Sequence, residues 1–255
     1  MEKPKISIAV IAKNEADRIG RLLASVDFAD EVIVVDSGST DGTQSLCEKM
    51  GARVVFKEWR GYAAQKQYAM ECTSSEWIVN LDADEEISKP LAEEIRKAIG
   101  NAAPEVCAYS MPRLSRYLGR WIKHGGWYPD LKVRLVRRGK GMWKGDTLHE
   151  QLLVEGKIEP LSNPILHHVY RGIADQVVTI NGFSDLYATE RGPAKAWFVV
   201  AGMAHAFGKL LECYLWKLGF LDGVPGLIIA MNSGWYVFLK HAKAWESTLT
   251  EIEVQ

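Results

Sequence analysis

Two acidic residues, Asp82 and Asp84, follow directly on residues 77–81, a stretch typical of a buried strand. Side chains two apart on a strand point to the same side, so both carboxylates can face one site. Carboxylates this close repel each other unless a cation lies between them. Mg²⁺ and Mn²⁺ prefer such hard oxygen ligands and bridge diphosphate oxygens. The pair therefore predicts a divalent metal site, although a solvated acidic turn over residues 82–86 would explain the same pattern.

A second polar segment, residues 36–43 (DSGSTDGT), follows another apolar run. An aspartate at the end of a strand can accept a hydrogen bond from the imide N–H of a uracil-type base. Serine, threonine and backbone N–H groups at the start of the next helix can hold polar ligand atoms or cap the helix. A simple turn capped by Asp41 would use the same residues. The segment alone leaves both interpretations open.

The first hundred residues alternate between strand and helix patterns, which predicts a parallel, doubly wound α/β sheet. Asn14 and Asp17 form a plausible N-cap arrangement for the first helix, and Ser88 should cap the fourth. In such sheets ligands bind beyond the carboxyl ends of the strands, where the polar residues named above fall. The predicted strands are 6–12, 31–35, 53–56 and 77–81, and the later helices are 44–50, 62–71 and 89–99.

Three segments resemble, in order, the motifs of glycosyltransferase family 2: residues 9–15 (AVIAKNE), 34–43 (VVDSGSTDGT) and 81–85 (LDADE). The resemblance covers roughly residues 5–155. It implies a GT-A fold, which is a Rossmann-like and mostly parallel sheet, together with a nucleotide-sugar donor, Mg²⁺ or Mn²⁺, and inversion at the anomeric carbon. By the same resemblance Asp36 contacts the base, Asp82 the ribose or the metal, and Asp84 the metal. The implied nucleotide-sugar site comprises Ala12, Asn14, Glu15, Asp36, Ser39, Lys66, Asp82 and Ala83.

Within that family the chain is similar to the lipopolysaccharide-core β-1,4-glucosyltransferase group. The similarity lies in residues 65–67 (QKQ), 134–138 (RLVRR), 149–150 (HE) and 220–223 (FLDG). It implies transfer of a hexose, glucose from UDP-glucose, to a lipid-linked saccharide. The alternatives are an enzyme that acts on a polyprenyl phosphate or a protein, and a non-catalytic nucleotide-sugar binding module. The acids Asp82, Asp84 and Glu150 disfavour the last of these.

Inverting transfer requires a carboxylate that removes the proton of the acceptor hydroxyl. We expect Glu150 to be this base, with Asp130 as the alternative. Members of the family carry a His-Glu pair at this place, so the resemblance implies that His149 is a third metal ligand or a diphosphate contact. The competing interpretations are a surface ion pair for Glu150 and a hydrogen-bonded structural histidine for His149.

The regular alternation of strand and helix patterns ends after about residue 100. Strands are predicted over residues 106–111, 116–122 and 131–137, and a helix over 173–190. We expect a catalytic domain over residues 1–170, with a nucleotide-sugar half to about residue 100 and an acceptor half from 101, followed by a helical, apolar region over 171–255.

The apolar stretches 196–207, 215–221 and 226–239 are each shorter than the ~20 residues that span a bilayer. Trp197, Trp216 and Trp235, with lysines at the edges, fit helices that lie in a membrane interface. The expected location is therefore the inner face of the cytoplasmic membrane. A helical cap on the catalytic domain and a homodimer face are the alternatives.

Composition excludes other classes. The formal net charge of −1 gives no global positive field, so a nucleic-acid partner is not expected. Four widely spaced cysteines without a CxxC pair argue against a zinc knuckle or a disulfide framework and fit a cytosolic protein. The first apolar run ends in Lys-Asn-Glu without a small-residue cleavage site, which favours a buried strand over a signal peptide.

Overall fold

The structure, a computed structural model, describes residues 3–145 and 150–252. The chain divides into two compact units. The first unit comprises Met1–Arg113 and Asp130–His167, and the second comprises Leu114–Pro129 and His168–Gln255. The chain thus leaves the first unit once, through an internal segment, before it continues into the C-terminal helices.

Twelve strands lie in the described residues, and they are numbered here in chain order: β1 (Ile6–Ala12), β2 (Glu31–Asp36), β3 (Arg53–Phe56), β4 (Trp77–Asp82), β5 (Glu85–Ile87), β6 (Val106–Tyr117), β7 (Arg120–Trp121), β8 (Asp130–Arg137), β9 (Gly141–Lys144), β10 (Gln151–Val154), β11 (Lys157–Pro160) and β12 (Ile165–His167). The α-helices are α1 (Ile19–Ser25), α2 (Thr43–Lys49), α3 (Tyr62–Glu71), α4 (Lys89–Gly100), α5 (Ile173–Arg191), α6 (Trp197–Leu211) and α7 (Gly223–Ile252).

The main sheet of the first unit has the order β3-β2-β1-β4-β8-β6-β12-β5. Strands β1 to β4 are parallel to one another where they pair. The pairings β4–β8, β6–β8 and β5–β12 are antiparallel. The parallel half confirms the predicted alternation of strands and helices, and the strand bounds differ from the prediction by at most one residue.

The core explains why β1 is an unbroken apolar run, since all seven of its residues are buried. Ile6, Ile8 and Val10 join one hydrophobic cluster, while Ala9 and Ile11 join another. This period of two shows that helices cover both faces of the sheet, as expected for parallel strands. A sheet covered on both faces leaves the carboxyl ends of its strands for ligands.

Helix capping was predicted correctly at α4 and wrongly at α1. At α4 the hydroxyl of Ser88 accepts a hydrogen bond from Leu91 N at 3.4 Å. Helix α1 begins at Ile19 behind Arg18, which makes no side-chain cap. Asn14 instead adopts a left-handed backbone with φ 57°. Its side chain is bonded to the loop after β2 and is therefore not available to cap a helix.

In the second unit the predicted single strand over residues 116–122 is wrong. The chain forms a hairpin, in which the end of β6 pairs with β7 and Arg116 lies opposite Trp121. The two residues of the turn, Leu118 and Gly119, have φ values of 46° and 82°. Positive φ at both central positions is the signature of a type I′ turn, whose twist suits a hairpin.

From Ile173 onward the described part of the second unit is mainly helical, as predicted. Helix α6 continues into a π-helical turn, Glu212–Trp216, and a 3₁₀ turn, Gly219–Asp222, leads into α7. Because the π-turn extends α6, the stretch Trp197–Trp216 is 20 residues long and is apolar and long enough to cross a membrane by length and composition. The expectation that no segment reaches this length was therefore wrong.

Candidate active site

A cavity of about 610 Å³ opens in the first unit where β1 and β4 end. Ala12 is the last residue of β1, and Asp82 is the last residue of β4. The cavity thus lies at the strand edge where parallel α/β sheets bind ligands. Its lining comprises Ile11, Ala12, Lys13, Glu15, Arg18, Trp59, Tyr62, Lys66, Asp82, Ala83, Asp84 and Glu150.

The loops after β1 and β2 are clamped to each other by hydrogen bonds. Asn14 N donates to Ser39 Oγ at 2.8 Å, and Thr40 N donates to Asn14 Oδ1 at 2.9 Å. Glu15 N donates to Thr43 Oγ1 at 2.9 Å. The polar segment over residues 36–43 therefore holds the β1 loop in place, and this loop carries Lys13 and Glu15 to the cavity.

Asp36 lies behind this clamp and does not line the cavity. Its side chain is fully buried, and Oδ1 accepts hydrogen bonds from Gly38 N and Ser39 N, both at 2.9 Å. Burial opposes ionisation of Asp36, but these hydrogen bonds and those from the side chains of Ser39 and Gln44 outweigh it and lower its pKa. The Asp36 carboxylate therefore stabilises the loop that directly follows its own strand, β2.

Lys66 on α3 joins two of the acids that line the cavity. Its ammonium nitrogen lies 2.8 Å from Asp82 Oδ1 and 3.0 Å from Glu150 Oε1. It also lies 4.8 Å from the centre of the Trp143 ring. The side chain is only 7% exposed, so its charge is held in place by these partners. The structure thereby brings three predicted site residues, from α3, β4 and the segment before β10, into one cluster.

Behind Asp82 lies a buried group of charges that sequence reasoning did not identify. The Arg134 guanidinium donates to Asp82 and, at 2.7 Å, to Glu85 Oε1. Glu85 Oε2 accepts from Asp82 N at 3.0 Å. Burial opposes ionisation of Asp82, but the positive charges of Arg134 and Lys66 outweigh it and hold its pKa well below the usual range. Asp82 is therefore ionised and fixed in orientation.

Asp84 lies in the turn between β4 and β5 and lines the cavity. Its Oδ2 is 3.3 Å from Arg18 and 3.5 Å from His167 Nε2. His167 ends β12, which pairs with β5 so that His167 lies opposite Glu85. No cluster of three metal-ligating side chains occurs within residues 3–145 and 150–252. A carboxylate and an imidazole nevertheless meet at Asp84.

The two candidate bases differ in their surroundings. Glu150 lines the cavity, whereas Asp130 is not among its lining residues. Asp130 Oδ2 lies 2.7 Å from Arg113, and Oδ1 lies 3.1 Å from Lys132. Burial raises the pKa of Asp130, but these two cations outweigh burial and lower it. His149, predicted as a metal ligand, lies outside the described residues.

Several cavity residues had no distinct signal in the sequence. Arg18 lies just before helix α1 and belongs to none of the three motifs, and Trp59 and Tyr62 belong to a loop and a helix without a motif. His167 came closest to giving a signal, because the adjacent pair His167-His168 follows a short apolar run. Only the pairing of β12 with β5 shows that His167 lies beside Asp84.

The family model "Glycosyl transferase family 2" matches residues 7–150, which is more than half of the chain. The chain belongs to glycosyl transferase family 2. The matched range contains the ends of the two strands that meet at the cavity, β1 and β4, together with Glu150. Its sheet is of the GT-A type, as the sequence motifs predicted.

The chain is similar over nearly its whole length to a curated relative. This relative, the lipopolysaccharide core biosynthesis glycosyltransferase LpsC of Rhizobium meliloti, is 30% identical over 96% of the chain and 93% of its own length. The chain thus lies near the lipopolysaccharide core enzymes of the family.

Two solved structures are also similar. One is the mannosyltransferase PcManGT of Pyrobaculum calidifontis, in complex with GDP-Man and Mn²⁺. The match to it covers 98% of this chain and 76% of the PcManGT chain at 17% identity, with a TM-score of 0.48. The glucosyl-3-phosphoglycerate synthase of Mycobacterium tuberculosis, in complex with Mn²⁺, UDP and glucosyl-3-phosphoglycerate, is 27% identical to the chain over 44% of each of the two chains, with a TM-score of 0.37. The match therefore spans less than half of that synthase.

Proposed function

We propose that the chain is a metal-dependent, inverting hexosyltransferase that moves glucose from UDP-glucose to a saccharide acceptor. The observation that carries the proposal is the cavity of the first unit, which Asp82, Asp84, Glu150 and Lys66 line together. Such a site offers carboxylates for a metal and for a base, and a cation for phosphate oxygens. These are the groups that displacement of a nucleoside diphosphate requires.

The donor set at Asp84 fits a divalent metal, Mg²⁺ or Mn²⁺. Asp84 supplies carboxylate oxygens, and His167 Nε2 lies 3.5 Å from one of them. One or two protein ligands suffice when phosphate oxygens and water complete the shell of such an ion. Asp84 and His167 would hold the metal, with Asp82 beside them. When bound, the metal would neutralise charge on the leaving diphosphate.

Glu150 is the base in this proposal. It would take the proton from the acceptor hydroxyl as that oxygen attacks the anomeric carbon and the diphosphate leaves from the opposite face. Lys66, which lies 3.0 Å from Glu150, would meet the diphosphate as well. Asp130 is the weaker candidate because its lowered pKa reduces its basicity and its oxygens face Arg113 and Lys132.

The donor pocket would use its residues in two ways. Ala12, Glu15 and Ala83 line the cavity and would contact the nucleotide sugar. Asn14 and Ser39 bond to each other across the two loops, and Asp36 bonds to Ser39. These three would shape the nucleotide pocket, with recognition of the base carried by the loop that Asp36 holds. A uridine nucleotide remains our proposed donor.

The proposed acceptor is a lipid-linked saccharide, and the proposed place of action is the inner face of the cytoplasmic membrane. The similarity to a lipopolysaccharide core glycosyltransferase supports this acceptor. An exposed apolar face on α6 supports the location, since Trp197, Val200, Met203 and Phe207 are each at least 60% exposed at helical spacing. A polyprenyl phosphate or a protein is the alternative acceptor.

The test measures UDP release by the purified full chain from a panel of UDP-sugars, with Mn²⁺, with Mg²⁺ and with a chelator. We expect metal-dependent release from one sugar. Glu150→Gln should lower turnover by about 10²–10⁴-fold while donor binding persists. Glu155→Gln, which removes an exposed carboxylate from a turn of the same unit, is the matched control. Binding of a nucleotide sugar without any turnover would refute the enzyme and favour the binding module.

A further inference from the structure

A hairpin of the second unit concentrates positive charge in a chain that is nearly neutral overall. Residues Leu114–Pro129, here called the basic hairpin, contain the cations Arg116, Arg120 and Lys123 and no acidic residue. The whole chain, by contrast, has 31 basic and 32 acidic residues. A local excess of this kind produces a positive potential that attracts anions.

One face of the basic hairpin combines a cation with an aromatic ring. Arg116 and Trp121 are directly opposed in the β6–β7 pair, so their side chains share a face. The guanidinium carbon lies 5.9 Å from the centre of the Trp121 ring. His168 meets the same ring edge to face, at 5.6 Å between ring centres. A partly exposed indole of this kind can stack on the apolar face of a sugar ring.

A buried carboxylate holds the base of the hairpin. Asp222 is 2% exposed and accepts hydrogen bonds from Lys123 N at 3.1 Å and from His124 N at 2.8 Å. Its other oxygen lies 3.2 Å from His124 Nδ1 and 3.6 Å from Arg120 Nε. Asp222 thus neutralises Arg120 and fixes the backbone that carries Lys123.

Two exposed cations of the basic hairpin remain: Arg116 lies opposite Trp121, and Lys123 follows Trp121 by two residues. Arg116 and Lys123 are exposed, and within the part of the chain that the structure describes no carboxylate lies at salt-bridge distance from either. Asp222 fixes the backbone at Lys123, and the Trp121 ring lies against the Arg116 guanidinium. A positively charged and aromatic surface suits a ligand that is both a sugar and an anion.

We propose that the basic hairpin binds an acceptor saccharide that carries phosphate or carboxylate groups. The sugar ring stacks on Trp121, and its anionic group pairs with Arg116 and Lys123. This inference rests on the proposed glycosyl transfer and names the chemical class of its acceptor.

The test titrates the full chain by calorimetry with four probes: pentamannose 6-phosphate, tetragalacturonate, neutral mannopentaose and inorganic phosphate. We expect at least one of the charged saccharides to bind about tenfold or more tightly than mannopentaose, because a charge-assisted contact contributes that much. A preference for the first would identify phosphate as the anion, and a preference for the second would identify carboxylate. Added salt should weaken the binding.

Arg116→Gln combined with Lys123→Gln should reduce this affinity about tenfold, and Trp121→Ala should do the same. Lys140→Gln combined with Lys195→Gln removes two exposed cations elsewhere and should leave it within about twofold. Circular dichroism checks that each variant is folded. Equal affinity for mannopentaose, equal affinity for inorganic phosphate, or no effect of the hairpin variants would each overturn the inference.

A separate measurement distinguishes this inference from the proposed function. Metal-dependent release of UDP to water by the unaltered chain reports on the donor site and needs no saccharide acceptor. If release occurs and the charged saccharides do not bind, the acceptor inference alone fails. If the charged saccharides bind and no donor is turned over under any metal condition, the proposed function fails and the hairpin is a saccharide site of another kind.

Discussion

Arg134→Met should destabilise the first unit strongly, because it removes the cation between the buried Glu85 and the half-buried Asp82. Arg134 is 4% exposed, and it contacts Asp82 and the fully buried Glu85. Methionine retains much of the side-chain length without the charge. Removal of one partner from a buried ion pair costs about 3–5 kcal/mol, since the remaining charge is left without compensation. Arg113 lies 3.4 Å from Glu85 and offsets part of this loss, so the free energy of unfolding should fall by about 3 kcal/mol.

Chemical unfolding measures this cost. With a guanidinium m-value of about 4 kcal/mol/M, a loss of about 3 kcal/mol lowers the unfolding midpoint by about 0.8 M. Hydrogen exchange in peptides from residues 77–87 would locate the loss at the end of β4 and at β5. Arg137→Met on the same strand is the matched control. Its partner Glu76 is 52% exposed and 3.7 Å away, and its guanidinium lies 4.9 Å from the centre of the Trp77 ring, so this substitution should cost about 1–2 kcal/mol, less than Arg134→Met.

The stability lost in Arg134→Met should depend on pH in a direction that the pKa of Asp82 determines. In the unaltered protein the folded pKa of Asp82 lies below its unfolded value, so its ion pairs stabilise the fold above about pH 4 and lose their effect as the pH falls through the folded pKa. Without Arg134 that folded pKa rises. The deficit of the variant is therefore largest near pH 7 and shrinks as the pH falls through this raised folded pKa.

A second substitution provides the refutation. Arg134→Met combined with Glu85→Gln removes a buried negative charge as well as the cation, and should recover part of the lost stability. If the single variant unfolds within about 0.2 M guanidinium of the unaltered protein, or if Glu85→Gln only adds to the loss, the account of this charge group is wrong.

Three further predictions follow from local structure. Cys47 is fully buried, and burial raises the pKa of its thiol to about 11. It should therefore not react with a thiol reagent at pH 8 until the chain is unfolded, whereas the partly exposed Cys72 should react in the native protein. Gly226→Ala would drive its Cβ into the carbonyl oxygen of Gly219, so thermal unfolding should show a loss of about 1–3 kcal/mol. The Cβ of Gly208→Ala would meet nothing within 4 Å, so this control should be neutral or stabilising. The double variant Met203→Glu with Phe207→Glu should reduce co-sedimentation with lipid vesicles by about tenfold, whereas the control Thr189→Glu on α5 should not. Equal sedimentation of the unaltered protein, the double variant and the control would refute the interfacial face on α6.

The parallel half of the sheet could be predicted because its signals are local. A strand buried on both faces is an unbroken apolar run, and Ser88 sits next to the helix that it caps. The carboxyl ends of β1 and β4 then bring Glu15, Asp82 and Asp84 to one cavity, as the strand order predicts. Topology alone was sufficient for that step.

The contacts that complete the site could not be predicted, because they depend on pairing between distant segments. His167 reaches Asp84 only through the pairing of β12 with β5, and Arg134 reaches Asp82 from β8. The failure at residues 116–122 has a different origin. A type I′ turn usually carries Asn or Gly at its first position, and Leu118 gives no such signal.

The formal charges of the residues that line the cavity indicate that a divalent cation and a diphosphate donor should bind there together. Four acids, Glu15, Asp82, Asp84 and Glu150, and three cations, Lys13, Arg18 and Lys66, line it, so its formal charge is −1. A divalent cation alone would reverse this charge, and a diphosphate donor alone would increase it threefold. Together the two add no net charge, so each should raise the affinity of the cavity for the other by the same factor. In the proposed reaction the diphosphate leaves with one more negative charge, while Glu150 gains a proton. The charge of the loaded cavity is then constant during transfer, and loss of that proton to solvent afterwards creates the repulsion that favours release of the nucleotide.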